Sequence, residues 1–429
     1  MSDAGRIGIL RPLRIRDFRL LWTGLAVSLL GDGIYLVAIA WQVLRLSDRP
    51  SSLALVGVAW TLPMVVLLLF TGVLTDRLPR RRLMLAADVI RAIAIGVMGV
   101  LTLAEAVQLW ELVVLAAIYG AGEALFGPAN SAIVPDLVPS ELLMQANSLG
   151  QFVRPLASTL LGPAIGGVLV GTAGAGWAFV ADAGTFAFSA LMILLMHEQR
   201  AQRDPDSSSS HWGDLKEGLN YVRSRTWLWV SMAVATVNLL CFWGPLEVLV
   251  PYVVKNDLHG SATQLGLVFA AGGVGSIGAA AVIGQRQMPR RPLTIMYLSW
   301  AAATFALIGF GVATGLWTMY LASAVAQIFF TMLLINWFTV VQRLVPHTML
   351  GRVSALDWMV SSAGVPLSFA LTGPLAAALG ARTTLILAGA VGGTVVLLTM
   401  VLVPSVRAPE RDGSLAATPP QEPDGVQLE

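Results

Sequence analysis

The chain has 429 residues, of which 56% are hydrophobic and only 12% charged, and its formal net charge is +2. Soluble domains carry about 25% charged residues, so half that share excludes a water-soluble fold and fits lipid as the solvent. So small a net charge argues against a nucleic-acid partner, and a single cysteine, Cys241, rules out an internal disulfide.

The N-terminus is basic and leads into an apolar run over 18–44. That run is too long for a signal-peptide core and no small-residue cleavage site follows, so it reads as a first membrane span. A helix needs about 20 mostly apolar residues to cross a bilayer. Five more such runs follow at 52–75, 83–104, 110–131, 145–170 and 176–197. Between the second and third lies a charged turn, Gly72-x-x-x-Asp76-Arg77-x-Pro79-Arg80-Arg81-Arg82. So tight a cationic turn is not translocated cheaply and marks the cytoplasmic side.

The segment 198–225 then divides the chain. Its stretch Asp204 to Ser210 has linker composition. Trp212, Leu215, Leu219 and Val222 share one helical face, which predicts a short amphipathic helix on the membrane surface. Six further spans are expected at 227–254, 263–285, 292–313, 317–341, 353–379 and 383–404. Beyond Pro404 the chain is polar and Pro-rich, and a disordered tail is expected. The expected organisation is therefore an N-terminal six-helix bundle (1–197), a linker (198–225), a C-terminal bundle (226–404) and a tail (405–429).

Of the 27 Lys and Arg residues, 21 fall in segments on the side of the termini and four (Arg45, Arg49, Lys255 and Arg382) on the other. That bias predicts both termini in the cytoplasm. The halves also echo each other. Pro155, Leu156, Leu160, Gly162 and Pro163 recur as Pro366, Leu367, Leu371, Gly373 and Pro374. Pro79-Arg80-Arg81 recurs as Pro289-Arg290-Arg291. A duplication of six spans suits a transporter that rocks two bundles around a midplane site.

The turn at Gly72, Asp76, Arg77, Arg80 and Arg81 resembles the cytoplasmic signature of the major facilitator superfamily. Gly162-Pro163-x-x-Gly166-Gly167 in span 5 resembles the antiporter motif of its drug:proton exporters. Leu30-Gly31-Asp32-Gly33 and Ala146-Asn147-Ser148-Leu149 resemble its siderophore-exporter and macrolide-efflux branch. The resemblance implies an all-α polytopic membrane protein with twelve helices in two pseudo-symmetric bundles. It also implies a cavity lined by spans 1, 4, 7 and 10, which would bring Asp32, Glu123 and Glu247 to it.

An ionisable residue at the bilayer centre is costly and asks for a reason. Asp32 continues a small, polar stripe of Gly24, Ser28, Tyr35 and Gln42, as a proton carrier or as a polar clamp between helices. Glu123 is a second candidate, or a buried acid that fixes its helix. Arg154 needs a counter-charge, and Asp32 or Glu123 are the nearest by helix order; the pair would be a switch or a permanent bridge. Glu247 faces the cavity or sits near its outer mouth. Asp88 and Arg91 are spaced to pair locally, and Asp182 and Asp357 read as local hydrogen-bond partners. Tyr35, Tyr119, Phe126, Phe242, Trp243, Phe330 and Trp337 are the candidate cavity aromatics.

Pro163 frees a backbone carbonyl while its neighbouring glycines permit close helix contact, with Gly272, Gly275 and Ala279 of span 8 as the expected matching face. The formal dinucleotide fingerprint at Gly273, Gly275 and Gly278 lies inside a span without a βαβ pattern and is accidental. No metal cluster, catalytic grouping or cofactor motif is visible. The expected function is a proton-coupled exporter of a hydrophobic or amphipathic small molecule, such as a drug, antibiotic or siderophore, acting as a monomer in the cell membrane. A proton-coupled uptake carrier or a lipid flippase on the same fold is the alternative, and a membrane-embedded enzyme or scaffold is disfavoured.

Overall fold

A computed structural model describes residues 10–197, 211–286, 288–412 and 415, with backbone alone at 69, 70, 72–77, 140, 211–215, 347 and 348. The linker stretch 204–210 and the end of the chain from 416 lie outside these residues. The described residues form helices and no strand. Twelve helices are long and apolar enough to cross a membrane. In order they are Arg16–Leu46, Pro50–Leu68, Arg80–Leu103, Leu109–Leu137, Leu143–Ala173, Ala175–Leu194, Thr226–Asp257, Ala262–Gly284, Pro292–Gly311, Leu316–Leu344, Met349–Leu379 and Ala381–Leu402, here spans 1 to 12.

Local chemistry explains several boundaries. Spans 5 and 6, and again 11 and 12, turn on single glycines, Gly174 at φ +91° and Gly380 at φ +85°, where other residues would be strained. Span 8 starts with a reciprocal cap, in which Gln264 N–H donates to Ser261 Oγ at 3.3 Å and Ser261 N–H donates to Gln264 Oε1 at 2.7 Å. Pro155 and Pro245 open π-helical turns within spans 5 and 7, at Pro155–Leu161 and Pro245–Leu249. Such turns interrupt the regular ladder and recur at functional sites.

The packing repeats between the halves. Span 4 packs on spans 2 and 3, and span 6 on spans 1 and 3. Likewise span 10 packs on spans 8 and 9, and span 12 on spans 7 and 9. The halves join through span 2 against span 11 and span 5 against span 8.

Those joints lie mainly on the side away from the termini. Gly57 packs on the Phe369 ring and Gly373 on Ser51 and Ala54. The Thr263 hydroxyl donates to Gly167 O at 3.1 Å, and Lys255 Nζ donates to Leu44 O and to Asp48 Oδ1, the latter at 3.0 Å. On the terminus side, polar contacts tie helix ends to one another and to the linker helix. Arg81 donates to Ile193 O and Leu194 O, Arg352 to Glu217 Oε2, and the Tyr221 hydroxyl to Leu344 O. Span 5 there leaves Asn147, Gln151 and Arg154 exposed.

Two expectations change. The helix His211–Ser224 forms, but Val222 is buried and Glu217 and Tyr221 bind the second half, so this helix packs on protein. The tail after Pro404 is not disordered from its start: Pro404–Arg407 and Ala408–Arg411 are helical turns, and Val406 is fully buried. The first amides of a helix lack partners within it. Glu410 supplies one for span 9, accepting from Thr294 N–H at 2.8 Å and from its hydroxyl at 2.7 Å.

Candidate functional site

Spans 1, 2, 4 and 6 bring acids and aromatic rings together inside the first half. The Tyr119 hydroxyl donates to Asp32 Oδ1 at 2.8 Å. Its ring stacks on Tyr35 at 4.8 Å and meets the edge of Phe186 at 6.0 Å. Trp60 Nε1–H donates to Glu123 Oε2 at 2.8 Å, and its ring lies 6.2 Å from Tyr119. Asp32 and Glu123 thus each hold one polar hydrogen on neighbouring aromatic residues.

Asp182 belongs to the same region. It is fully buried opposite Gly31, which leaves the carboxylate room that any Cβ would fill. The Thr185 hydroxyl donates to Asp182 O at 2.7 Å and to Oδ1 at 3.2 Å. The expected local bonding is present, but Asp182 sits beside Asp32's turn of span 1 and not at the end of its helix. Asp88 and Arg91 form the expected i,i+3 pair, both buried. The Arg91 guanidinium also lies over Phe126 at 4.6 Å and Phe186 at 4.3 Å. Phe126 is therefore a partner of this cation.

Arg154 does not find the contact expected of it. It is exposed and has no ion pair among the described residues, although its charge acts through space on Asp32 and Glu123. The buried cation of the region is Arg91, which the i,i+3 spacing marked only as a local pair.

Glu247 stands apart, on the π-helical turn Pro245–Leu249. It lines a cavity of about 180 Å³ between the halves, walled by spans 1, 5, 7, 8, 9 and 10. Trp243 of its wall stands edge-on to Phe242 and Phe330, which stack on each other at 5.5 Å. Trp337 lies elsewhere: its indole N–H donates to Asp357 Oδ2 at 2.9 Å, and its ring meets Trp227 at 6.2 Å.

The glycine motif of span 5 has two faces. Gly162 and Gly166 lie against Leu30, Gly33 and Ile34 of span 1; a Cβ on Gly166 would fall 2.8 Å from Ile34 Cα. Gly167 lies against Ala262 and Gly266 of span 8, where its Cβ would be 2.9 Å from Gly266 Cα. The expected match with Gly272 and Gly275 is incorrect: these two face Ser323, Gln327 and Ala324 of span 10. Their spacing marked a small face, but spacing alone does not say which neighbour uses it.

In the charged turn, the side chains of Gly72, Asp76 and Arg77 lie outside the described residues. Arg80 pairs with Asp136 and donates to Ala132 O at 2.7 Å, so its described acid partner comes from the end of span 4. With Arg81 on the end of span 6, the turn ties three helices of one half together.

The chain matches the transmembrane secretion effector family over residues 7–427. It is 29% identical over 372 residues to the multidrug efflux pump Tap of Mycolicibacterium fortuitum, covering 82% of this chain and 88% of that protein. It is 29% identical over 423 residues to the enterobactin exporter EntS of Citrobacter koseri, covering 96% of each. A solved bacterial homologue of the human lysosomal transporter Spinster, inward-facing and unoccupied, superposes with a TM-score of 0.67 at 14% identity, over 95% of this chain and 98% of that one. With the family matched along nearly the whole length and the twelve-span duplicated fold in place, the chain belongs to the transmembrane secretion effectors of the major facilitator superfamily and is a membrane transporter, not an enzyme.

Proposed function

We propose that this protein is a proton-coupled exporter of hydrophobic or amphipathic small molecules, working by alternating access as a monomer with both termini in the cytoplasm. The observation that carries the reading is the Tyr119-to-Asp32 hydrogen bond, set among Glu123, Asp182 and Asp88 with Arg91 as the buried cation. Full ionisation of four acids around one guanidinium would leave uncompensated charge in a low-dielectric region, which is costly. Such a cluster is suited to take up and release protons.

Its position supplies a route to movement. Ionised Asp32 accepts from Tyr119. A proton on Asp32 adds a donor and removes the charge that strengthens the bond from Tyr119, so the link between spans 1 and 4 weakens. The next residue, Gly33, packs on Gly162 and Pro163 of span 5, and Gly167 of span 5 packs on span 8 of the other half. Span 5 alone therefore stands between Asp32's turn and the seam between halves. The two exporters among the relatives favour export over the uptake alternative.

The test is efflux in vesicles with an imposed pH gradient. Asp32→Asn is expected to bind substrate but to lose accumulation against a gradient, because it cannot release a proton. Glu123→Gln tests the competing acid in the same assay. Loss in one variant assigns the carrier, and uphill transport surviving in both sinks the coupling role of these acids.

A further inference from the structure

The cavity at Glu247 has a chemistry that proton coupling at Asp32 does not use. Its wall is largely apolar, with Leu36, Trp243, Val268, Phe269 and Phe310 among its residues. Glu247 is the sole charged residue lining it. Among the described residues it has no hydrogen-bond or ion-pair partner, and the charged side chain that acts on it through space is Glu123, of the same sign. In an apolar enclosure a carboxyl without a partner keeps its proton, or ionises where a cation is present to pair with it. An anion would meet like charge there. A neutral apolar molecule would leave the carboxyl protonated and draw no charge attraction from it.

We infer that Glu247 is the recognition group for a cationic amphipathic substrate, whose alkyl- or arylammonium head enters this cavity while its apolar body lies against the aromatic wall. The inference deepens the exporter reading and rests on it for the word substrate. Size sets what enters. Pockets for whole drug-sized ligands run to roughly 300–1,000 Å³, so about 180 Å³ suits the head of such a molecule. Aromatic faces add attraction for ammonium groups, and Ser323 and Gln327 offer polar atoms on the same wall.

The test compares phenyltrimethylammonium with tert-butylbenzene, which has the same shape and no charge. Binding is measured by calorimetry on the purified full chain in phosphatidylglycerol nanodiscs, which present no choline headgroup, at fixed pH and without a gradient. Wild-type protein is expected to prefer the ammonium at least tenfold. Glu247→Gln should lose the preference and keep the affinity for the neutral probe, while Glu247→Asp should keep part of it. Equal binding of both probes by wild type, no binding of either, or a preference that survives Glu247→Gln overturns the inference. Binding to empty nanodiscs of the same lipid is subtracted, because anionic lipid attracts the cation on its own; equal binding of the two probes by wild type then overturns the inference even where a variant fails to fold. Because no gradient is applied, failure of proton coupling would leave this result standing, and the reverse holds too.

Discussion

At the scale of single residues, the Tyr119 hydroxyl is the group that most directly tests the acid cluster. Tyr119→Phe removes the donor to Asp32 and keeps the ring stacked on Tyr35. A hydrogen bond to a charged group is worth about 1.5–3 kcal/mol. The initial rate of gradient-driven efflux should therefore fall by roughly tenfold or more, with the amount of folded protein unchanged; an unaltered rate would remove Tyr119 from the mechanism. Asp48 makes a prediction about pH. Side-chain hydrogen bonds from Lys255 and Asn256 hold its carboxyl below the usual carboxylate range. A lowered acid contributes its stabilisation above the ordinary value, near 3.8, and loses it only as pH falls through the lowered one. The Lys255 contact between spans 1 and 7 should thus be constant from about pH 5 to 8. Asp48 is largely exposed, so the pair is worth at most about 1 kcal/mol. The labelling rate of a cysteine at Ser47, divided by the thiolate fraction at each pH, should show a flat profile over that window; a transition within it would contradict the assignment.

At the scale of elements, the span 5 motif is a matter of distance. Leu at Gly166 would place its side chain on the backbone of Ile34. Gly166→Leu should abolish transport while the protein still inserts, whereas Gly278→Ala, with nothing within 4 Å of the added Cβ, should transport normally. Wild-type efflux in Gly166→Leu would strip the motif of its role. The helices themselves were legible from apolar runs and charged turns, because lipid demands both. The partners of the helices were less so. Trp60 on Glu123 and Asp182 opposite Gly31 connect helices far apart in sequence, and periodicity within a helix carries no signal for that. Gly31 beside Asp32 was the available hint, a small residue where a neighbour's side chain needs space. The helical turns from Pro404 to Arg411 were hidden because one cap and one buried Val406, and not composition, hold them in place.

At the scale of the whole molecule, the basic residues and the joint between halves bear on the same transport cycle. The 21-to-4 split of Lys and Arg predicts that cysteines introduced at Ser208 and Ser414, in a Cys241→Ala background, are shielded from an impermeant thiol reagent in intact cells. Labelling of either from outside would reverse the orientation. The predicted orientation would make the seam the outer one and turn exposed Gln151 and Arg154 toward the cytoplasm.

The seam also bears on energy conservation. Gly167 meets Gly266 main chain to main chain, with no side chain between them. A water molecule takes up about 30 Å³, and so close an approach leaves no such space at that point. Protons hop along files of water far faster than a carrier turns over. In the proton-coupled reading proposed above, a dry crossing acts as insulation: it would keep the gradient from discharging at this point of the seam between one exported molecule and the next.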